Sequence, residues 1–321
     1  MRHLIVNQRN LGDAAAEAAA ALRAGKLVAL PTETVYGLAA DAANGEAVAL
    51  IFEAKGRPRF NPLICHVTDV SMARRYATFD APAELLAKEF WPGPLSLVLP
   101  LAEDAPVSPL VTAGLSTIAV RAPRGAAEAV IAAFGGALAA PSANRSGRIS
   151  PTRAEHVIDA FGDRVALVLD AGPCAVGLES TIVSLAGEKP LLLRPGGVPA
   201  EAIEALLSTK LKRAMAGDPV SAPGMLATHY APRLPVRLNV TAVEPGEALL
   251  AFGGAAIAGT ERAAVIRNLS PSGDLVEAAA NFFTYIGELD ASGASAIAVA
   301  AIPPEGLGEA INDRLRRAAA G

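Results

Sequence analysis

Apolar residues fall in short, mostly unbroken runs, and stretches with helical spacing alternate with them through the first two-thirds of the chain. The runs Leu27–Leu30, Leu63–Val67, Leu95–Leu99, Thr117–Val120, Ala137–Ala140, Ala166–Leu169, Thr181–Leu185 and Leu191–Leu193 predict strands. Unbroken rather than alternating runs fit strands covered on both faces. Helices are predicted over Asp13–Ala24, Glu46–Ala54, Ala83–Phe90, Ala126–Phe134, Arg153–Phe161 and Ala200–Leu207. From 208 to 235 the pattern breaks. A basic cluster of Lys210, Lys212 and Arg213 leads into Gly217, Pro219, Pro223, Gly224, Pro232 and Pro235, the punctuation of a linker. The alternation restarts with strands at Val236–Val240, Ala248–Phe252, Ala263–Ile266 and Ala296–Ala300, and helices at Leu275–Leu289 and Leu307–Ala319. The fold class is α/β, with a larger unit over 1–207, a linker over 208–235 and a smaller open sheet over 236–321.

Composition sharpens this picture in three places. A length of 321 residues suits two domains, and a hydrophobic share of 52% fills two cores. One Trp, four Tyr and nine Phe leave those cores to Leu, Val, Ile and Ala. The net charge of −4 counts against a nucleic-acid grip, and no direct DNA binding is expected. A few arginines in one cleft still suffice for a small anion. Cys65 and Cys174 show neither a CxxC pair nor metal-ligand spacing, so two buried thiols in a reducing compartment and no protein-held metal are expected. Met1–Asp13 lacks a secretory pattern and no apolar run would span a bilayer, so the expected place is the cytoplasm, with no membrane partner.

The polar residues that interrupt the apolar runs supply the candidate chemistry. At Pro31–Leu38 a strand end runs into Thr32 and Thr34, which share a face if the chain stays extended; the segment reads as a ligand-binding strand end or as a hydroxyl-capped turn. Lys55, Arg57 and Arg59 are stiffened by Gly56 and Pro58 and lead to Asn61; Pro58 stops the preceding helix near Lys55. The three cations complement a helix C-terminus or await a polyphosphate. His66 lies in an apolar strand, where a hydrogen-bonded core residue and a ligand contact look alike. In the strand that begins at Thr117, Arg121 follows apolar residues and suits either a carboxylate or an exposed edge. Ser142, Asn144, Ser150 and Thr152 form a donor-rich loop, or Ser150 or Thr152 caps the helix that follows. Ser180, Thr181 and Arg194 stand at the ends of two neighbouring strands. Tyr230 sits between prolines in the linker, which suits a segment docked as a lid. No GxxxxGK[ST], GxGxxG or GxSxG motif is present, so any ATP is held without a P-loop.

In this order the segments PTETVYGL (31–38), KGRPRFNPL (55–63), PSANRSG (141–147), ESTIV (179–183), LRPG (193–196) and PGM…HYAP (223–232) resemble the Sua5/YrdC/YciO family, specifically its two-domain Sua5-type members. The tail after Pro235 matches by position and α/β character alone. The resemblance implies a YrdC-like twisted-sheet domain with a concave cationic cleft, a smaller Rossmann-like Sua5 domain, and a linker crossing the cleft. It implies an L-threonylcarbamoyladenylate synthase, a nucleotidyltransferase that joins L-threonine, bicarbonate or CO2 and ATP, with Mg2+ on the phosphates. Lys55 and Arg57 with Ser142 and Asn144 match the KxR…SxN signature and would act in catalysis. By the same resemblance Thr34, His66, Arg121, Ser142 and Ser180 or Thr181 face threonine and bicarbonate. Lys55, Arg57, Asn61, Thr117, Ser142, Asn144, Ser150, Arg194 and Tyr230 face ATP. The product would pass to a separate transferase complex that modifies adenosine 37 of tRNA. Two alternatives stay open: a YrdC-fold RNA-binding protein and a regulatory protein without adenylylation. A carbamoyl-transfer enzyme of the hydrogenase-maturation kind fits less, because the chain lacks its Cys clusters and length.

Overall fold

The computed structural model describes residues 1–215, 217–218, 220–225 and 230–320. Eleven strands of the described residues form one twisted sheet in the spatial order Arg2–Ile5, Leu167–Asp170, Val28–Leu30, Gly37–Asp41, Leu138–Ala139, Ile64–His66, Thr117–Arg121, Leu95–Pro100, Thr181–Ser184, Leu191–Arg194 and Lys212–Arg213. Parallel and antiparallel pairs mix: Ile64–His66 runs parallel to Thr117–Arg121, which runs antiparallel to Leu95–Pro100. The central strands are buried on both faces, as their unbroken apolar runs require.

Helices cover both faces. Leu11–Arg23 packs on Ala126–Phe134 through Ala14, Ala15, Ala18 and Leu22 against Ala126, Ala127, Val130 and Ile131. Alanine at these contacts lets two helix backbones and the sheet approach closely, which accounts for a core with little aromatic bulk. Opposite, Ile51 and Phe52 of Gly45–Lys55 and Leu86 of Ala81–Phe90 enter the larger core.

A second sheet of four parallel strands has the order Val236–Arg237, Ile297–Val299, Ala248–Ala251, Val265–Asn268. Helix Leu275–Asp290 buries Phe282, Phe283, Ile286 and Leu289 on it, and helix Leu307–Ala319 adds Ile311 and Leu315.

Three strands were absent from the pattern. Arg2–Ile5 is largely exposed at the sheet edge, so its side chains are polar in part. Gly37–Asp41 holds Gly and two Ala, which have little strand preference. Lys212–Arg213 falls in the stretch expected to be linker and pairs with Leu191–Leu192. The strand expected over Val236–Val240 ends at Arg237, because Asn239 turns the chain with φ 54°. Thr32 to Tyr36 bends rather than staying extended. Both cysteines are buried free thiols, and no described helix is long and apolar enough to cross a membrane.

Candidate active site

The site begins with a helix end. Asn44 caps Gly45–Lys55 by accepting from Glu46 N and Ala47 N, and Gly56 ends it in the left-handed region at φ 62°. Lys55 therefore stands on the last turn and Arg57 on a loop stiffened by Pro58, both buried. Lys55 Nζ donates to Ser142 O at 2.5 Å and to Asn144 O. Arg57 donates from Nε to Asn61 O at 3.1 Å and from Nη2 to Pro62 O at 2.8 Å. These partners are carbonyls; neither cation forms an ion pair with a carboxylate among the described residues. Burial and the Arg57 charge push the Lys55 ammonium well below the usual lysine range. Burial and the Arg194 charge push Arg57 down to about 10. Two desolvated cations without a counter-ion are relieved by a bound anion.

The loop 141–148 is cinched around this pair. Ser142 Oγ donates to Asn144 Oδ1 at 2.5 Å, and Asn144 Nδ2 donates to Arg145 O at 2.9 Å and Arg148 O at 2.7 Å. Asn144 is thus committed to the loop, whereas Ser142 borders the cavity described next. The side-chain oxygen of Asn61 is buried without a hydrogen-bond partner.

One partly enclosed cavity gathers Thr34, Arg57, His66, Arg121, Ser142, Ser180, Arg194 and Tyr230. Thr32 and Thr34 do meet, through a turn: Thr32 Oγ1 lies 2.8 Å from Thr34 Oγ1 and donates to Val35 O at 2.7 Å. His66 Nδ1 donates to Ile64 O at 3.2 Å, and burial, then the Arg121 charge, pushes its pKa down to about 3. Its ring is neutral at neutral pH. Arg121 is buried rather than at an exposed edge; it donates from Nη2 to Glu33 Oε1 at 2.7 Å and from Nε to Gly93 O at 3.1 Å. Arg194 donates from Nη2 to Ser180 Oγ at 3.1 Å and from Nε and Nη2 to Ser180 O. Ser180 Oγ also lies 2.8 Å from Ser96 Oγ.

Other candidates stand apart from this cavity. Thr181 Oγ1 donates to Val198 O at 2.6 Å, so of the two neighbours Ser180 is the one at the cavity. Thr117 lies four positions from Arg121 on the same strand face, with Ala119 between them. Asn144 and Ser150 line a neighbouring groove that also holds His156, Phe283 and Asp290. Ser150 and Thr152 do not cap the helix Ala154–Phe161, which has no side-chain cap. Ser150 Oγ instead donates to Glu179 Oε1 at 2.5 Å, and Thr152 Oγ1 pairs with Thr284 Oγ1 of the second unit at 3.0 Å.

Described residues of the 208–235 stretch pack against the sheet and line the cavity. Ala214, Ala222 and Met225 pack on the sheet face formed by Ile64, Val98, Ala119, Ile182 and Leu193. Tyr230, at φ 65°, is buried against Phe283 with ring centroids 5.6 Å apart, and Ala231 N donates to Gly147 O at 2.8 Å. Gly224 approaches Arg194 so closely that a Cβ there would lie 2.6 Å from its Cδ. His229 of the HYAP segment lies outside the described residues. What remains of the cavity is about 40 Å3, space for a water or two.

Glu33 and Glu179 stand inside the motifs without a sequence signal for their part in the site, and Arg314 lies outside every motif. Glu33 grips Arg121 and accepts from Arg124 N at 2.9 Å; Glu179 lines the cavity.

A mixed α/β sheet that buries Lys55 and Arg57 on carbonyls, with no carboxylate ion pair to either among the described residues, offers a small cationic cleft suited to anionic substrates. The chain belongs to the Sua5/YrdC/YciO family: the family model described as "Telomere recombination" matches residues 20–196, and the model for the threonylcarbamoyl-AMP synthase C-terminal domain matches 198–320. It is 42% identical to a threonylcarbamoyl-AMP synthase of Bacillus subtilis over 95% of this chain and 93% of the relative. It is 40% identical to a threonylcarbamoyl-AMP synthase of Pyrococcus abyssi, over 94% and 92% of the two chains. The crystal structure of P. abyssi Sua5 complexed with L-threonine superposes with a TM-score of 0.90 at 36% identity, covering 100% of this chain and 98% of that one.

Proposed function

We propose that this chain forms threonylcarbamoyl-AMP and pyrophosphate from L-threonine, bicarbonate or CO2, and ATP. The observation that carries the reading is the buried pair Lys55 and Arg57, hydrogen-bonded to carbonyls and without a carboxylate partner among the described residues. It sits beside Arg194 and Ser142 in a family whose relatives carry this activity in their names.

The threonine amine adds to CO2 and loses a proton to give a carbamate. A carbamate oxygen attacks the α-phosphorus of ATP, and the bond to the β-phosphate oxygen breaks, releasing pyrophosphate. Negative charge spreads over the phosphoryl oxygens as this happens, and preorganised cations stabilise it without moving. Lys55, Arg57 and Arg194 take that role. Arg121 receives the threonine carboxylate, with Thr34, His66 and Ser180 around the amino acid. His66 is neutral there and serves as a hydrogen-bonding group, not a charge. Thr117, Asn61, Asn144 and Ser150 fall to the nucleotide side, Asn144 and Ser150 by shaping the loop. Mg2+ would accompany ATP and offset phosphate charge beside Lys55, Arg57 and Arg194.

Carbamate and mixed anhydride both hydrolyse, so the reaction needs cover. Residues 208–235 supply it as a lid between a catalytic unit over 1–207 and a C-terminal unit over 236–321. The lid opens for ATP, because the covered cavity is too small to admit it. Free buried thiols suit a reducing compartment, and we place the reaction in the cytoplasm, with the product passed to a separate tRNA-modifying transferase. The test is pyrophosphate release from MgATP with threonine and bicarbonate each present or omitted. Release that needs both, and is much weaker with serine, supports the reading; release indifferent to threonine sinks it.

A further inference from the structure

Arg314 lies on the apolar stripe of helix Leu307–Ala319, between Ile311 and Leu315, and is wholly buried. Its Nε donates to Glu179 Oε2 at 3.0 Å, and its Nη1 donates to Pro195 O at 2.8 Å and Asp313 Oδ2 at 2.9 Å. The guanidinium carbon lies 5.1 Å from the centre of the Tyr230 ring. Nη2 has no hydrogen-bond partner. One side chain of the C-terminal unit therefore touches three segments that border the cavity: Glu179, just before the strand Thr181–Ser184, Pro195 after Arg194, and Tyr230.

Among the described residues lining the cavity, Glu179 is the carboxylate. Facing phosphates, a free carboxylate would repel the substrate and attract the cations meant for it. Both its oxygens are taken, Oε1 by Ser150 and Oε2 by Arg314, while Arg194 donates to Ser180 instead. Burial raises the Glu179 pKa, but the Arg314 and Arg194 charges and the Ser150 hydroxyl outweigh it and hold the group at about 2, so it stays charged. Without Arg314, a buried carboxylate loses its main partner, and Arg194 is the other arginine whose charge acts on it.

We propose that Arg314 is a positioning residue for the adenylylation reaction: it takes up Glu179 Oε2, so that Arg194 stays on Ser180 at the cavity instead of pairing with that carboxylate, and so makes the C-terminal unit part of the site. This rests on the function proposed above. It differs from mere docking of two units, because the carboxylate that Arg314 neutralises lies on the cavity wall.

The test compares full-length wild type, R314Q, E179Q and the double variant E179Q/R314Q. It uses pyrophosphate release at saturating threonine and varied MgATP, with thermal unfolding recorded for each. R314Q is expected to raise KM for ATP by about tenfold, and the double variant to recover most of that loss, because no carboxylate remains to capture Arg194. Wild-type kinetics in R314Q overturn the proposal. So does a double variant as impaired as R314Q while both are folded, the pattern of lost docking. If R314Q does not fold, R314K and E179Q/R314K take its place: a rise in KM for ATP that E179Q relieves supports the proposal, and an R314K deficit that the double variant keeps overturns it. Failure of the wild type to release pyrophosphate sinks the function instead and is seen before any variant is compared.

Discussion

Arg121 Nη2 donates to Glu33 Oε1 at 2.7 Å, and Glu33 Oε2 accepts in turn from Arg124 N at 2.9 Å. The guanidinium is thus held by its own carboxylate on one edge and by Gly93 O at Nε, which fixes its plane before any ligand arrives. An orientation set in advance spares the amino acid the cost of ordering a long side chain. R121K keeps the charge and loses the plane. It is expected to raise KM for threonine by about tenfold or more with a smaller change in kcat, a loss of ~1.4 kcal/mol or more in threonine binding. Varying threonine at saturating ATP checks it.

Lys55 presents the opposite case, a cation whose folded environment disfavours its charge. Such a group costs stability and contributes function. K55M is expected to lower kcat by roughly a thousandfold, the scale of losing one preorganised transition-state contact, with a small change in melting temperature, because relief of the buried charge offsets the lost hydrogen bonds to Ser142 O and Asn144 O. Steady-state turnover beside thermal unfolding of the same samples separates the two effects.

The pH dependence of stability follows from His66. Its folded pKa of about 3 lies below the ordinary value of 6.5, so below 6.5 the unfolded chain binds the extra proton. The contribution is fully present above pH 6.5 and is lost as pH falls toward 3. H66Q removes this titration and is expected to flatten the decline in unfolding free energy between pH 6.5 and 5 by about 1 to 2 kcal/mol. Urea denaturation at the two pH values measures it. An unchanged slope would mean the ring is not buried neutral.

Gly224 tests the closed linker. Its φ of +85° is a glycine conformation, and an added Cβ would meet Arg194 Cδ at 2.6 Å. G224A is expected to cost about 1–3 kcal/mol in the closed state and so lower kcat/KM by roughly tenfold to a hundredfold. The fold should melt within a few degrees of wild type, since the strain sits in the linker. Parallel turnover and melting measurements decide it.

Strands buried on both faces announced themselves: Ile64–His66, Leu95–Pro100 and Thr117–Arg121 all fell where unbroken apolar runs had placed them. Gly37–Asp41 escaped notice because its side chains carry almost no strand signal; its place comes from pairing with Val28–Leu30. The cations Lys55, Arg57, Arg121 and Arg194 were visible as charges at element ends. Their carboxylate neighbours were not, since pairing Glu33 with Arg121 depends on a bend and a strand that lie 88 residues apart. Arg314 is one of several charges in its helix, and no motif marks it out. The signal was its register: Leu307, Ala310, Ile311, Leu315 and Ala318 recur at helical spacing, and Arg314 falls on their stripe.

The strand Arg2–Ile5 lies far along the chain from the strand it covers. It forms the edge of the large sheet by pairing with Leu167–Asp170, and His3 meets Asp170 across 167 residues of chain. Closing so long a loop is slow, so the inner strands can pair first. Until the first strand docks, the apolar run Leu167–Val168–Leu169 is an open edge, a template for another chain. Displacing Arg2–Ile5 would therefore bare an edge of the large sheet whose cover comes from so distant a part of the chain.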